Sequence, residues 1–122
     1  MRAVWKYPGD GRRTATTGIS DSFIGGIPSG ATYWLDPPCS GLGVLAGRPD
    51  ARWRRTPEDA RELEGLQRRM LDQATGLLTP GGRLVYSVCT VRRGEAQHLL
   101  PGGRQTLPHR DGTDGFYVAE AA

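Results

Sequence analysis

The chain has 122 residues, enough for one domain of ordinary size and too few for two. Lys and Arg number 16 against 13 Asp and Glu, a mild excess of +3, and 37 % of the residues are apolar. No run approaches the ~18 apolar residues of a membrane span, which excludes a helical membrane protein. The opening segment, Met1 to Asp10, has no apolar stretch of the signal-peptide kind, so a cytoplasmic protein with no membrane partner is expected.

Residues 1–31 carry turn signals at Pro8-Gly-Asp-Gly-Arg-Arg13 and Gly25-Gly-Ile-Pro-Ser-Gly30 but no sustained period. They are read as a poorly defined N-terminal segment, and residues 32–122 as the folded part. Thr32-Tyr-Trp-Leu35 is a short β-rich run bounded by Gly30 and by Asp36-Pro-Pro38, and it reads as a buried strand. The two prolines stop it.

Thr56-Pro-Glu-Asp59 is a helix start. Thr56 can cap the first free N–H groups, Pro57 needs no N–H at the first helical position, and the two acids suit the positive end of the helix dipole. Leu63, Leu66, Met70, Ala74, Leu77 and Leu78 follow in steps that mostly keep one face, and Thr79-Pro-Gly-Gly82 ends the helix. Arg83 to Thr90 is β-branched and aromatic enough for a central strand. The order strand, helix, strand predicts a parallel pair joined by a right-handed crossover. After the turn Asp111-Gly-Thr-Asp-Gly115, Phe116 to Ala119 reads as a last strand. The fold class is α/β, part of an open sheet.

In a parallel pair, the residues just past the two C-terminal ends share one edge, where α/β sheets bind ligands. Asp36 and Cys39 follow the first strand, and Cys89 ends the second. Topology therefore predicts a carboxylate and two thiols at one crevice. Each residue has a plainer role open to it: Cys89 as core and Asp36 as a turn former. A zinc site from the two Cys with His98 and His109 lacks the usual ligand spacing, and no metal is expected. The basic residues are 15 Arg and one Lys, Lys6. That bias suits phosphate recognition, and it equally suits GC-rich coding.

Asp36-Pro-Pro-Cys-Ser-Gly-Leu-Gly43 resembles the first cysteine motif of the RNA cytosine-5 methyltransferases of the Nol/Nop/Sun type, and Tyr86-Ser-Val-Cys-Thr90 resembles their second. Arg48-Pro-Asp-Ala-Arg-Trp53, Pro57-Glu-Asp59 and Leu66-Gln67 are similar to the bacterial ribosomal-RNA branch in order and spacing, as is Pro108 through Phe116. The resemblance implies a Rossmann-like methyltransferase sheet and S-adenosyl-L-methionine-dependent methylation of carbon 5 of cytosine in RNA, ribosomal RNA in this branch. It implies Cys89 as the nucleophile, Cys39 as the residue that assists product release, and Asp36 as the carboxylate that holds the cytosine edge beside the cofactor. Asp10 resembles an acid that faces the adenosine. Arg48, Arg52, Arg54 and Arg55 flank Trp53 on the loop leading out of the site, where they would contact the RNA backbone; a solvated loop is the plainer role.

The sequence departs from that pattern in three places. No Gly-rich cofactor loop precedes Asp36, so the first strands of the sheet are missing and an open edge is expected. Pro37 stands where the family has Ala, and only Val91 to Leu100 stands where it has a helix and a strand. Two functional readings stay open: the catalytic part of a methyltransferase, with the missing strands supplied by another chain, and an inactive remnant that binds RNA through its Arg-rich surface.

Overall fold

The computed structural model describes residues 4–7 and 32–121. Five strands form one sheet in the order β1-β2-β3-β5-β4. They are β1 (Val4–Tyr7), β2 (Thr32–Leu35), β3 (Arg83–Val88), β4 (Arg104–Gln105) and β5 (Tyr117–Ala121). β2 and β3 run parallel, with Leu35 paired to Tyr86, as the strand-helix-strand order predicts. The other three pairings, β1 with β2, β3 with β5 and β4 with β5, are antiparallel. β1 was not anticipated within residues 1–31; it moves the open edge of the sheet from β2 to β1. Its backbone pairs along the full length of β2, Val4 with Leu35 through Tyr7 with Thr32.

The crossover is helix α2 (Pro57–Gly76), preceded by a single turn, α1 (Ala51–Arg54). α1 corrects the sequence reading of this stretch as loop. At the start of α2, Thr56 Oγ1 accepts from the Asp59 amide while an Asp59 carboxylate oxygen accepts from the Thr56 amide. This reciprocal box satisfies two of the helix's free donors. Asp59's carboxyl is held below its ordinary value, first by the hydrogen bond from the Thr56 backbone. The helix ends at Gly76, and Gly81 at φ +80° helps turn the chain into β3, a conformation that L side chains rarely adopt.

Alternation along the strands sends Tyr33, Leu35, Leu84, Tyr86, Val88, Tyr117 and Ala119 into one core with Met70, Leu71 and Ala74 of α2. The intervening positions Trp34 and Val118 are exposed. The helix stripe differs in detail from the sequence pattern. Leu63 and Leu66 are only half-buried, whereas Gln67 and Leu71 are fully buried. The last strand starts one residue later than predicted and runs on to Ala121. Just before it, Pro108–Asp111 forms the single-turn helix α3, closed by Gly112 at φ +67°, where a plain turn was expected. Among the described residues no helix is long and apolar enough to cross a membrane.

Candidate active site

Just beyond the parallel pair, the chain leaves β2 into Asp36-Pro-Pro-Cys-Ser40 and leaves β3 into Cys89-Thr90. These two segments meet. The Sγ atoms of Cys39 and Cys89 lie 3.0 Å apart, both thiols free and part-buried. The Gly43 amide donates to the Cys89 carbonyl at 3.1 Å, and the Gly43 carbonyl accepts from the Gly115 amide at 2.7 Å. Gly43 is thus threaded between the second cysteine and the turn before β5. A Cβ there would run into the Gly115 carbonyl, so only glycine fits.

The two sulfurs are electrostatically unequal. Their mutual hydrogen bond, together with deeper burial, pushes the Cys39 thiol well up. The same hydrogen bond is the largest influence on Cys89 and brings it from 9.0 down to about 7, against the opposing effects of burial and of the Asp36 charge. A thiol donating to a thiolate explains both directions, with Cys89 as the thiolate. Asp36 is therefore close enough to act on Cys89 through its charge. Its own carboxyl is raised by partial burial.

Beneath the sulfurs sits a buried polar cluster. Glu95 is fully buried, on the 3₁₀ turn Arg93–Glu95. Its Oε1 accepts from the Ser40 amide (2.8 Å) and from Gln67 Nε2 (3.0 Å). Its Oε2 accepts from Ser40 Oγ (2.7 Å) and Thr90 Oγ1 (2.9 Å). Gln67 Nε2 also donates to the Pro38 carbonyl at 2.9 Å. Tyr86 Oη donates to the Glu95 carbonyl at 2.8 Å. Glu95 was not singled out from the sequence. The available signal was an acid placed shortly after a cysteine at a strand end, which is weak by itself.

The remaining predicted residues are more dispersed. Arg55 turns back toward the site, its Nε donating to the Ser40 carbonyl at 3.0 Å. Arg54 pairs with Asp50 at 3.3 Å on the exposed side of α1. The Arg52 guanidinium lies 5.0 Å from the Trp53 ring centre, and Trp53 is 82 % exposed. Arg48 is exposed as well. Asp10 lies outside the described residues.

With this geometry in place, comparison with known proteins is decisive. Residues 31–101, more than half of the chain, match the family described as 16S rRNA methyltransferase RsmB/F. The chain belongs to that family. Ribosomal RNA small subunit methyltransferase B of Erwinia tasmaniensis is 37 % identical over 105 residues, a match covering 70 % of this chain and 24 % of that protein. A protein of Mycobacterium tuberculosis that bears the name methyltransferase is 48 % identical over 112 residues, again covering 70 % of this chain and 24 % of its own length. The chain thus spans about a quarter of the RsmB/F-type relatives it matches. The crystal structure of PH0851 superposes with a TM-score of 0.73 at 28 % identity, covering 84 % of this chain and 28 % of that one. NSun6 from Pyrococcus horikoshii, solved with SFG, superposes with a TM-score of 0.62 at 29 % identity, covering 71 % of this chain and 28 % of that one. The sheet is part of a Rossmann-like methyltransferase fold.

Proposed function

We propose that the chain carries the nucleophile-bearing part of an S-adenosylmethionine-dependent methyltransferase acting on carbon 5 of cytosine in ribosomal RNA. The observation that carries this reading is the contact between the Cys39 and Cys89 sulfurs at the end of the parallel pair. Family membership and the names of the relatives support the ribosomal-RNA part.

Carbon 5 of cytosine is a poor nucleophile. The Cys89 thiolate adds to carbon 6, forming an S–C bond, and the electrons of the 5,6 double bond move toward the ring nitrogen at position 3. Asp36 holds the cytosine edge, accepting a hydrogen bond from the exocyclic amine and relaying a solvent proton to that nitrogen. The result is an enamine-like ring with nucleophilic character at carbon 5. Release runs the other way. Once carbon 5 carries a methyl group its proton is lost to solvent, the C–H electron pair re-forms the 5,6 double bond, the S–C electron pair returns to Cys89, and the nitrogen at position 3 gives its proton back through Asp36. The Cys39 S–H steadies the departing thiolate, as it does in the free site. The target base must be unstacked to reach this edge. Exposed Trp53 with Arg48, Arg52 and Arg54 offers a stacking surface and phosphate contacts on the way in.

The chemistry of the donor set fits S-adenosylmethionine at its reacting end, since Asp36 directly follows β2 and Cys89 directly follows β3, which puts a carboxylate and the nucleophile at the same ligand-binding edge of the sheet. When bound, that cofactor supplies the electrophilic methyl group. Asp36 is the described residue that would face it, and Asp10 is the second acid proposed for its adenosine end.

Titration with S-adenosylmethionine by calorimetry, followed by transfer of labelled methyl groups to a small-subunit ribosomal RNA fragment, tests the reading. Binding heat and label in 5-methylcytosine are expected, with the label lost in Cys89→Ala. No heat at millimolar cofactor, with the RNA still bound, would leave a non-catalytic RNA-binding remnant.

A further inference from the structure

The sheet does not by itself bring the two sulfurs together. Pairing between β2 and β3 ends at Leu35 and Tyr86, and Cys39 lies well past that point on an irregular segment. Three described links join the segments beyond it. One is the backbone bond from Gly43 to Cys89. The second is the contact between the Ser40 and Thr90 hydroxyls at 3.1 Å. The third is the Glu95 carboxylate, which takes hydrogen bonds from the residues directly following each cysteine, and so holds that hydroxyl pair: Ser40, through both amide and hydroxyl, and Thr90, through its hydroxyl.

We propose that Glu95 is the positioning residue of the site, a buried carboxylate that clamps the two cysteine-bearing segments so that their sulfurs meet. This rests on the reading of Cys39 and Cys89 as the reacting pair. Glu95 acts on the two segments directly through Ser40 and Thr90. Its own place is set from two further directions. Gln67 of α2 bridges it to the Pro38 carbonyl on the first cysteine segment, and Tyr86 of β3 holds its backbone carbonyl. The four donors around its two oxygens match the acceptor capacity of a carboxylate, so no lone pair is left to draw the group elsewhere. A neutral amide keeps one acceptor and replaces the other with a donor. The Ser40 and Thr90 hydroxyls can turn to accept from that donor, so Glu95→Gln should retain most of the clamp. Glu95→Ala leaves the buried Ser40, Gln67 and Thr90 without their common partner. Gly94 belongs to the same arrangement. A Cβ there would press on the Glu64 carboxylate, which pairs with Arg92 at 2.7 Å and ties the turn to α2.

Proximity of the sulfurs can be read without RNA or cofactor. Diamide takes two electrons and two protons from a thiol pair, leaving a disulfide and its own hydrazine form. The rate at which the chain loses both thiols to an internal Cys39–Cys89 disulfide, followed by mass spectrometry, reports how often the sulfurs meet. The proposal predicts fast closure in the native chain. It predicts at least tenfold slower closure in Glu95→Ala at unchanged far-ultraviolet dichroism, and recovery to within about threefold in Glu95→Gln. Native-rate closure in a folded Glu95→Ala chain would overturn it. Where Glu95→Ala does not fold, Thr90→Val and Ser40→Ala decide: each should slow closure, and native rates in both would equally overturn it. Reaction with RNA plays no part in this readout. A chain that closes as predicted and yet never reacts with RNA keeps its clamp and loses the methyltransferase reading.

Discussion

Cys39 and Cys89 stand 50 positions apart in the chain, and their sulfurs lie 3.0 Å apart in space. The contact is one-sided in its effect. Cys39 is the more enclosed thiol and is pushed up, while Cys89, nearer solvent, is lowered toward neutrality by the bond it receives. At neutral pH Cys89 is thus a thiolate about half of the time while Cys39 stays a thiol, a division that suits the proposed nucleophilic addition and assisted release.

The first prediction concerns reactivity against pH. Alkylation of Cys89 by iodoacetamide follows its thiolate fraction, so it should rise through an inflection at about 7. An ordinary thiol with a pKa of about 8.5 would be only a few per cent thiolate at pH 7. In Cys39→Ala the lowering hydrogen bond is gone, while burial and the Asp36 charge remain. The inflection should then move up past the ordinary value, as residue-resolved mass spectrometry can follow. An unmoved inflection would show that Cys39 is not the cause.

The second concerns release. With RNA and S-adenosylmethionine, Cys39→Ala should accumulate a covalent protein–RNA adduct, visible as a shifted band that survives denaturation. Cys39→Ala/Cys89→Ala should not. An adduct that persists in the double variant would refute the assignment of Cys89.

The third concerns Gly43. Its Cα lies so close to the Gly115 carbonyl that a methyl group cannot be placed without backbone movement. Overpacking of this kind costs about 1–3 kcal/mol. For a domain of this size, each kcal/mol lowers the melting temperature by roughly 4–8 °C. Gly43→Ala should therefore melt measurably lower by calorimetry, and Gly47→Ala, whose Cβ would meet only the Val44 carbonyl at 3.9 Å, should do so far less. Equal melting of the two variants would contradict the packing described.

The fourth concerns α2. Thr56→Ala removes one half of the reciprocal cap and should cost about 1 kcal/mol in denaturant unfolding. Thr56→Ser keeps the accepting oxygen and should cost much less. No loss in Thr56→Ala would mean that the helix start is held by packing alone.

The parts of the fold that were legible in the sequence were those with local grammar. Thr56 and Pro57 mark a helix start by cap chemistry, and Arg83 to Val88 marks a strand by composition. Parallel pairing follows from the helix between them, and that pairing sends Asp36, Cys39 and Cys89 to one edge, where contacts beyond the strand ends complete the meeting of the sulfurs. Features built from distant segments were not legible. β1 finds its partner across a long separation, and Val4–Tyr7 carries no mark of that partner. Helical spacing located the buried face of α2 but not what lies against it. Near Gln67 that neighbour is the polar cluster around Glu95, so an amide occupies a position the pattern would give to an apolar side chain. Glu95 itself is read by Ser40, Gln67 and Thr90, three residues that look like surface when taken singly. Arg55 reads as an RNA contact because it sits in an Arg-rich stretch; its Nε bond to the Ser40 carbonyl is a further contact between distant segments that the stretch does not announce.

The most direct test of the account replaces cytosine in an RNA fragment by 5-azacytosine. Nitrogen at position 5 makes carbon 6 more electrophilic, so a well-placed thiolate adds without any methyl transfer. Denaturing electrophoresis and peptide mass spectrometry then locate the bond. A covalent link on Cys89, strongest above pH 7 and absent in Cys89→Ala, is the predicted result. No link, or a link that forms on Cys39 in the native chain, would contradict it.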